Sequence, residues 1–172
     1  FYGLGWVHYG LGGFGLALDV TDPGSVDHAL EEVRARLGPV AILVSCAGWD
    51  LMRPFVETDE PFQERVLEIN LGGPIRVARA VLPDMIEAGC GRIVLVSSDA
   101  ARVGSSGEAI YAAAKGGLLA LAKSIAREVV RHGITAAGAT AAWIARKFSA
   151  RRARLTSTTV GRMMLVSMRS VR

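Results

Sequence analysis

Three side chains in the second half of the sequence have the types and spacing to move a proton to or from an oxygen atom. Tyr111 and Lys115 are four positions apart, so in a helix they share one face. A free tyrosine titrates near pH 10, and a nearby ammonium favours the phenolate, so we expect Lys115 to lower the pKa of Tyr111. Ser98 could hold a substrate carbonyl or alkoxide against that phenol. Together the three residues predict acid/base chemistry on an alcohol or a carbonyl.

The segments around these residues alternate between apolar strands and amphipathic helices. LALDV (16–20) reads as the end of a short strand, and VAILVSCAG (40–48) and RIVLVSS (92–98) are typical of buried strands in a parallel sheet. Helices are predicted from 21 to 38, from 60 to 88 with an interruption at Asn70 to Pro74, and from 109 to 131. This order predicts an α/β fold, a Rossmann-like doubly wound parallel sheet with its ligand site beyond the carboxyl ends of the strands.

Length and composition indicate one globular domain. The 172 residues are 51% hydrophobic and 21% charged, and no uninterrupted apolar run approaches the length of a membrane span. The two cysteines lack the spacing of a metal site or a disulfide framework, so neither is expected. Residues 1–128 carry a net charge of −5, whereas residues 129–172 hold nine Lys and Arg and no acid. A cytoplasmic protein with no membrane partner is the expectation.

The stretch GLGGFG (10–15) matches the glycine pattern of loops that bind the phosphates of a dinucleotide. Such a loop follows a buried strand, opens a helix, and stands about 20 residues before an acidic side chain. Here the preceding FYGLGWVHY is aromatic and broken by glycine, and Asp19 comes only four residues after Gly15. The spacing favours a coincidental glycine-rich segment over a phosphate loop.

Five motifs in register resemble the short-chain dehydrogenase/reductase family over residues 16–135. They are LDV at 18–20, SCAG at 45–48 as a variant of the family's NNAG, Ile69-Asn70, VSS ending at Ser98, and YAAAK at 111–115. WDLMRPFVETDEPF and DAARVGSSGEAIYAAAKGG look most like 2-hydroxycyclohexanecarboxyl-CoA dehydrogenases and 3-oxoacyl reductases. The resemblance implies hydride exchange between NAD or NADP and a secondary alcohol or ketone, with an alicyclic or acyl thioester as the substrate.

The resemblance also implies a role for each matching residue. Tyr111 would be the catalytic acid/base, Lys115 would lower its pKa and hold the nicotinamide ribose, and Ser98 would orient the substrate oxygen. Asn70 would support a proton relay through water at the helix break. Asp19 and Val20 would contact the adenine, and Ala47 and Gly48 would let the cofactor pass closely, so the implied cofactor-binding set is Asp19, Val20, Ala47, Gly48, Asn70, Tyr111 and Lys115. The implied partners are a small-molecule substrate and further copies of the chain. The copies would form a homo-oligomer, a dimer or a tetramer, through helices 60–88 and 109–131.

Both ends depart from the family pattern. The family places a strand, a phosphate loop, a helix and a second strand before the LDV motif, and only eighteen residues precede Asp19 here. The family continues after Thr135 with a strand that ends in Pro-Gly, whereas no proline follows Pro83. We therefore predict a single incomplete domain, with a family-like core at 16–135 and an atypical basic tail at 136–172. A shifted reading frame or a truncated gene joined to other sequence is one hypothesis for these edges.

Three functions remain open at this point. The first is an NAD(P)-dependent oxidoreductase, and the second is a truncated, inactive remnant that acts through association of its helices. The third reads the cluster of basic residues in the tail as an arm for nucleic acid or an anionic membrane, which the scarcity of interleaved aromatics disfavours, so no nucleic-acid partner is expected. That cluster consists of Arg146, Lys147, Arg151, Arg152 and Arg154.

Overall fold

The structure is a computed structural model that describes residues 4–8, 15–140 and 163–168. At its centre is a six-stranded sheet. Its spatial order is β2-β1-β6-β3-β4-β5. The strands are β1 (Leu4–His8), β2 (Ala17–Asp19), β3 (Ile42–Cys46), β4 (Gly91–Ser97), β5 (Ile134–Thr140) and β6 (Met163–Met168). Strands β6, β3, β4 and β5 are parallel neighbours, and β1 is antiparallel to both β2 and β6. The Rossmann-like class is confirmed, with one reversed strand in an otherwise parallel sheet.

The helices are α1 (Pro23–Leu37), α2 (Glu60–Leu67), α3 (Gly73–Glu87), α4 (Ala100–Val103) and α5 (Ala109–Val129). Short 3₁₀ turns occupy Phe55–Glu57 and Val130–His132, and a π-helical turn at Glu68–Gly72 joins α2 to α3. The predicted start of α1 is confirmed, because the Asp22 side chain accepts a hydrogen bond from the Gly24 amide at 2.9 Å. The predicted interruption of helix 60–88 is the π-helical turn.

Helices α1, α3 and α5 cover the same face of the sheet. On β4, Gly91 faces Met85 of α3, and the Ser97 hydroxyl donates to the Lys115 carbonyl of α5 at 2.7 Å. Helix α1 is tied to α3 by an ion pair between Arg34 and Asp84 at 3.0 Å. The connections from β2 to β3, from β3 to β4 and from β4 to β5 all run in one direction across the sheet, so right-handed crossovers bring their helices to one side. The described residues thus show one of the two helical layers of a doubly wound fold.

The two strands between β2 and β3 come from segments in which the sequence showed no strand pattern. Leu4–His8 was expected to be broken by glycine, yet it pairs with β2 and β6. Met163–Met168 lies in the basic tail and inserts between β1 and β3, where Met164 and Val166 are fully buried. Both corrections have one cause: short apolar or aromatic runs have no decisive period, and strand pairing with neighbours decides their conformation.

The glycine-rich stretch connects β1 to β2, which are adjacent antiparallel strands. Gly10 to Phe14 lie outside the described residues, as do the basic residues Arg146, Lys147, Arg151, Arg152 and Arg154. A phosphate loop needs a strand that enters a helix at the carboxyl edge of the sheet. The prediction that the stretch is not such a loop therefore concerns residues outside the described ranges.

One helix, Ala109–His132, is long and apolar enough by length and composition to cross a membrane, with a mean hydropathy of 1.2. Helices that cover a sheet have the same properties, and this one packs on β4 and β5.

The entry into α3 depends on the absence of a side chain at Gly73. A Cβ atom there would lie 2.5 Å from Cγ2 of the fully buried Val20, whereas a Cβ at Gly116, inside α5, would meet nothing within 4 Å. We expect Gly73→Ala to lower the free energy of unfolding by about 1–3 kcal/mol through overpacking. Gly116→Ala should raise it by about 0.5–1 kcal/mol, because alanine favours the helix.

Urea unfolding of the two variants and the parent chain measures both effects. Equal midpoints for Gly73→Ala and the parent would contradict the close packing of α3 against β2.

Candidate active site

A cleft of about 590 Å³ opens at the carboxyl ends of β3 and β4, beside the first turns of α5. Four of the predicted site residues, Gly48, Ser98, Tyr111 and Lys115, line it together. The strands deliver the first two at their ends, and α5 presents the other two on consecutive turns of one face. The remaining lining residues are Cys46, Trp49, Asp50, Val96, Ser97, Asp99 and Glu108.

Lys115 is the most buried charged residue of the cleft, with 3% of its surface exposed. Its Nζ donates to the Ala47 carbonyl at 2.8 Å and to the Val96 carbonyl at 3.3 Å. Burial lowers the pKa of Lys115 to about 8, and the nearby Cys46 thiol opposes that shift. The ammonium is therefore held by backbone oxygens at the ends of two neighbouring strands, and it titrates close to neutral pH.

Tyr111 and Ser98 form the hydroxyl pair of the cleft. Burial raises the pKa of Tyr111, the hydrogen bond from Ser98 opposes the shift, and the carboxyls of Glu108 and Asp50 add to it. The Ser98 hydroxyl also accepts the Ala100 amide at 3.2 Å, which fixes the turn after β4. At neutral pH Tyr111 is a protonated phenol that can donate to an oxygen atom.

The raised pKa of Tyr111 is the opposite of the expectation that Lys115 lowers it. The Lys115 Nζ lies 5.7 Å from the centroid of the tyrosine ring, and its protons are directed to the Ala47 and Val96 carbonyls. Burial and two carboxyl groups outweigh its influence on the phenol. The sequence spacing correctly predicted the proximity of the two side chains, while the surroundings set the sign of the shift.

Asn70 is completely buried in the π-helical turn, and its side chain holds the loop that follows β3. Its Nδ2 donates to the carbonyls of Trp49 at 2.5 Å and Val66 at 2.9 Å, and its Oδ1 accepts the Trp49 amide at 3.2 Å. A π-helical turn disturbs the regular backbone hydrogen bonds of a helix. The side-chain amide of Asn70 supplies a donor for the Val66 carbonyl. The turn thereby positions the cleft wall.

Gly48 lies at a point that only a glycine can occupy without displacing its neighbours. A Cβ there would be 3.0 Å from Asn70 Oδ1 and 3.0 Å from Lys115 Nζ. These two polar atoms are consequently no more than about 6 Å apart, a separation that one water molecule can bridge. Ala47 is buried beneath the cleft and contributes its carbonyl oxygen.

Asp19 and Val20 lie at the same edge of the sheet but outside the cleft. Three strand spacings separate β2 from β3, a distance of roughly 14 Å. Asp19 Oδ1 accepts the Thr21 amide at 2.9 Å and the Thr21 hydroxyl at 2.7 Å, and the Val20 side chain is buried. Arg76 donates to the Val20 carbonyl and pairs with Glu68 at 2.7 Å, so it ties this strand end to the π-helical turn.

The cleft residues that were not singled out from the sequence include Trp49, Asp50 and Glu108. Trp49 packs edge-on against Phe62 with 5.9 Å between ring centroids, and the Arg65 guanidinium lies 4.4 Å from the Trp49 ring centroid. Asp50 follows the end of β3, and Glu108 precedes Tyr111 by three positions, so strand-end and helix-face spacing were available signals. Within the described part of the chain, no group of three His, Cys, Asp or Glu side chains could hold a metal ion.

Serine, tyrosine and lysine side chains meet in a cleft at the carboxyl ends of the central strands of a Rossmann-like sheet. This arrangement defines an α/β domain built around an acid/base cleft. The short chain dehydrogenase family matches residues 11–154. The chain therefore belongs to the short-chain dehydrogenase family.

Similar proteins include reductases and a solved dehydrogenase. The 3-oxoacyl-[acyl-carrier-protein] reductase FabG of Salmonella typhimurium is 41% identical over 128 residues, which are 74% of this chain and 52% of that protein. The 3-oxoacyl-[acyl-carrier-protein] reductase MabA of Mycobacterium avium is 41% identical over 124 residues, 72% of this chain and 48% of that protein. A short-chain dehydrogenase structure from Streptomyces avermitilis shares 36% identity with a TM-score of 0.67, over 73% of this chain and 45% of that one. The chain spans about half the length of the curated relatives it matches.

The burial of Lys115 predicts a measurable dependence of stability on pH. Its pKa is about 8 in the folded chain against 10.5 for an unperturbed lysine, so between these values the unfolded chain binds more protons. Stability should therefore increase with pH across that window, by up to about 3 kcal/mol for this group. Lys115→Met removes the titration, so the difference in unfolding free energy between parent and variant should be constant below pH 8 and then shift in favour of the parent.

Urea unfolding of both proteins between pH 7 and pH 10 measures this difference, in which the titrating groups that do not interact with Lys115 cancel, whereas the Cys46 thiol beside it does not. Parallel profiles over the whole range would show that the ammonium is not desolvated.

Proposed function

We propose that this chain carries the reacting centre of an NAD(P)-dependent oxidoreductase that interconverts a ketone and a secondary alcohol on an acyl thioester or alicyclic substrate. The observation that carries the proposal is the meeting of Ser98, Tyr111 and Lys115 in one cleft at the carboxyl edge of the sheet. The names of the similar proteins, 3-oxoacyl-[acyl-carrier-protein] reductases, favour a 3-oxoacyl thioester over the alicyclic alternative.

The nicotinamide cofactor would supply or accept the hydride. Its reacting half fits the cleft, because Gly48 leaves a space that a Cβ would fill, bordered by Asn70 and Lys115. We propose that Tyr111, Lys115 and Asn70 bind the nicotinamide end of the cofactor, together with the backbone of Ala47 and Gly48. Asp19 and Val20 would contact the adenine end. The choice between NAD and NADP is then a property of the β2 end.

In the direction of reduction, the Tyr111 phenol would donate its proton to the substrate oxygen as that oxygen gains negative charge. Its raised pKa leaves the proton on the phenol at neutral pH, the state that can donate to a carbonyl oxygen. The Ser98 hydroxyl, already hydrogen-bonded to the phenol, would hold the same oxygen. Removal of either the Tyr111 or the Ser98 hydroxyl should lower the rate of reduction by a large factor.

Lys115 and Asn70 would return the proton that Tyr111 gives away. The Lys115 ammonium has a pKa of about 8, so it can lose and regain a proton near neutral pH. The separation of at most about 6 Å between Lys115 Nζ and Asn70 Oδ1 supports a water-linked path at this point. In this proposal Asn70 has two roles, because it also holds the Trp49 loop.

A homo-oligomer through α2, α3 and α5 is part of the proposal. Leu67, Ile75 and Ile86 expose about 40% of their surfaces along the first two of these helices. Exposed apolar residues on neighbouring helical turns are suited to burial against a second copy. Light scattering coupled to size-exclusion chromatography tests the stoichiometry, and the cytoplasmic location stays a prediction.

An inactive protein that acts only through association is the second candidate, and the sheet topology favours it. The two positions between β2 and β3 are filled by β1 and β6, and β1 runs antiparallel, so its carboxyl end lies at the edge opposite the cleft and cannot lead directly into a helix N-terminus at the cleft edge. A pyrophosphate usually binds at such a helix N-terminus. This candidate predicts no binding of NADH or NADPH at millimolar concentration.

Activity with a 3-oxoacyl thioester separates the two candidates. We expect consumption of NADPH or NADH, followed by absorbance of the reduced nicotinamide, to fall by about 10²–10⁴-fold in Tyr111→Phe and by about 10²–10³-fold in Ser98→Ala. Ser105→Ala removes an exposed hydroxyl from the loop before α5 and should leave the rate unchanged.

Fluorescence titration with each reduced cofactor accompanies the assay. Cofactor binding without any loss of rate in Tyr111→Phe would refute the assigned chemistry, and absence of binding would favour the inactive candidate.

A further inference from the structure

Two carboxyl groups that the proposed reaction does not use face the cleft across from one another. Asp50 stands just beyond the end of β3, and Glu108 stands immediately before α5, and both line the cleft together with Tyr111. The loops that carry them are joined, because the Arg53 amide donates to the Gly107 carbonyl at 2.9 Å. Gly107 has a φ of +77°, which favours glycine at this contact.

Both carboxyl groups keep hydrogen-bond capacity that the fold does not use. Oδ2 of Asp50 is buried and has no hydrogen-bond partner among the described residues. Glu108 occupies the N-cap position of α5, where a side chain commonly bonds the first amides, but it makes no capping hydrogen bond. A buried acceptor without a partner and a cap residue that does not cap both indicate side chains placed for a ligand rather than for stability.

Each cation around the cleft has another contact, although Arg53 also lines a small neighbouring pocket with Asp50 and Glu108. Arg53 stacks on Phe62 at 4.7 Å, Arg65 stacks on Trp49, and Arg102 pairs with Asp99 at 3.5 Å. The Lys115 ammonium is directed to backbone carbonyls at the base of the cleft, beside the Cys46 thiol. The charges that act on the Tyr111 phenol are those of Glu108 and Asp50.

We propose that Asp50 and Glu108 are specificity-determining residues that exclude substrates with a negative charge near the reacting carbonyl, so that neutral 3-oxo thioesters and esters are accepted and free 3-oxo acids are rejected. The inference rests on the proposed function and refines its substrate class. A free 3-oxo acid carries its carboxylate two carbons from the ketone, so with the ketone at Tyr111 the carboxylate enters the cleft that both side chains line. A thioester or ester at the same place is uncharged and escapes the repulsion.

The influence of the two acids on Tyr111 agrees with this assignment. Both carboxyls raise the pKa of the phenol, so their field disfavours a lasting negative charge beside the Tyr111 hydroxyl. A ketone oxygen receives the phenol proton as it is reduced, whereas a carboxylate keeps its charge. Burial raises the pKa of Asp50 itself, Glu108 adds to that shift, and a backbone hydrogen bond from Leu51 opposes it. The two acids and the phenol thus act on one another across a single small space.

The test compares acetoacetate with ethyl acetoacetate, which have the same ketone but differ in charge. In the parent chain we expect kcat/KM to be at least tenfold higher for the ester. The isosteric double variant Asp50→Asn, Glu108→Gln should raise kcat/KM for acetoacetate at least tenfold, mainly through KM, and change the value for the ester little. Glu31→Gln, Glu87→Gln removes the same number of charges from exposed helical positions and should reproduce the parent.

A second readout needs no turnover. Binding of the two compounds, measured by ligand-observed NMR, should show acetoacetate binding at least tenfold more tightly to the double variant than to the parent, with equal binding of the ester. Absence of turnover with the ester would overturn the proposed function alone. Equal acetoacetate binding by the parent and the double variant would overturn the exclusion of anions.

Discussion

The buried ammonium of Lys115 is the constraint around which the centre of this structure is arranged. Its two backbone acceptors come from the segments that end β3 and β4, while its own backbone belongs to α5, whose carbonyl accepts the Ser97 hydroxyl. One side chain thus joins three elements at the carboxyl edge of the sheet. A buried charge is costly unless it is hydrogen-bonded, so these elements must keep their relative positions for the charge to be tolerated.

A second set of contacts connects the cleft to the far side of the sheet. Asn70 fixes the loop after β3 by its hydrogen bonds to Trp49, and the helix that follows begins at Gly73, which packs on Val20. Arg76 adds a link from the same helix to the Val20 carbonyl. A ligand that extends from the cleft to β2 would therefore contact a continuous rigid body. This continuity survives even though the strands between β2 and β3 differ from the family pattern.

The cleft combines a proton donor with surroundings that resist negative charge. Tyr111 keeps its proton because it is partly buried and faces two acids, and a nearby lysine at 5.7 Å from its ring centroid does not reverse that effect. The helical spacing of Tyr111 and Lys115 could be read from the sequence, because it follows from 3.6 residues per turn. The sign of the pKa shift could not, since it depends on groups that are distant in the chain, such as Asp50, and on burial.

The sequence by itself determined the family, the order of the strands and longer helices from residue 16 to the start of β5, and four of the residues that meet in the cleft, whereas the short helix α4 was predicted as a loop. These features depend on local periodicity and on short motifs, which act within a few residues. Only the tertiary structure decided that Leu4–His8 and Met163–Met168 are strands, that β1 runs antiparallel, and that Asp50 faces the cleft with Glu108. Each of these depends on pairing or packing between segments far apart in the chain, and local sequence carries little information about such contacts.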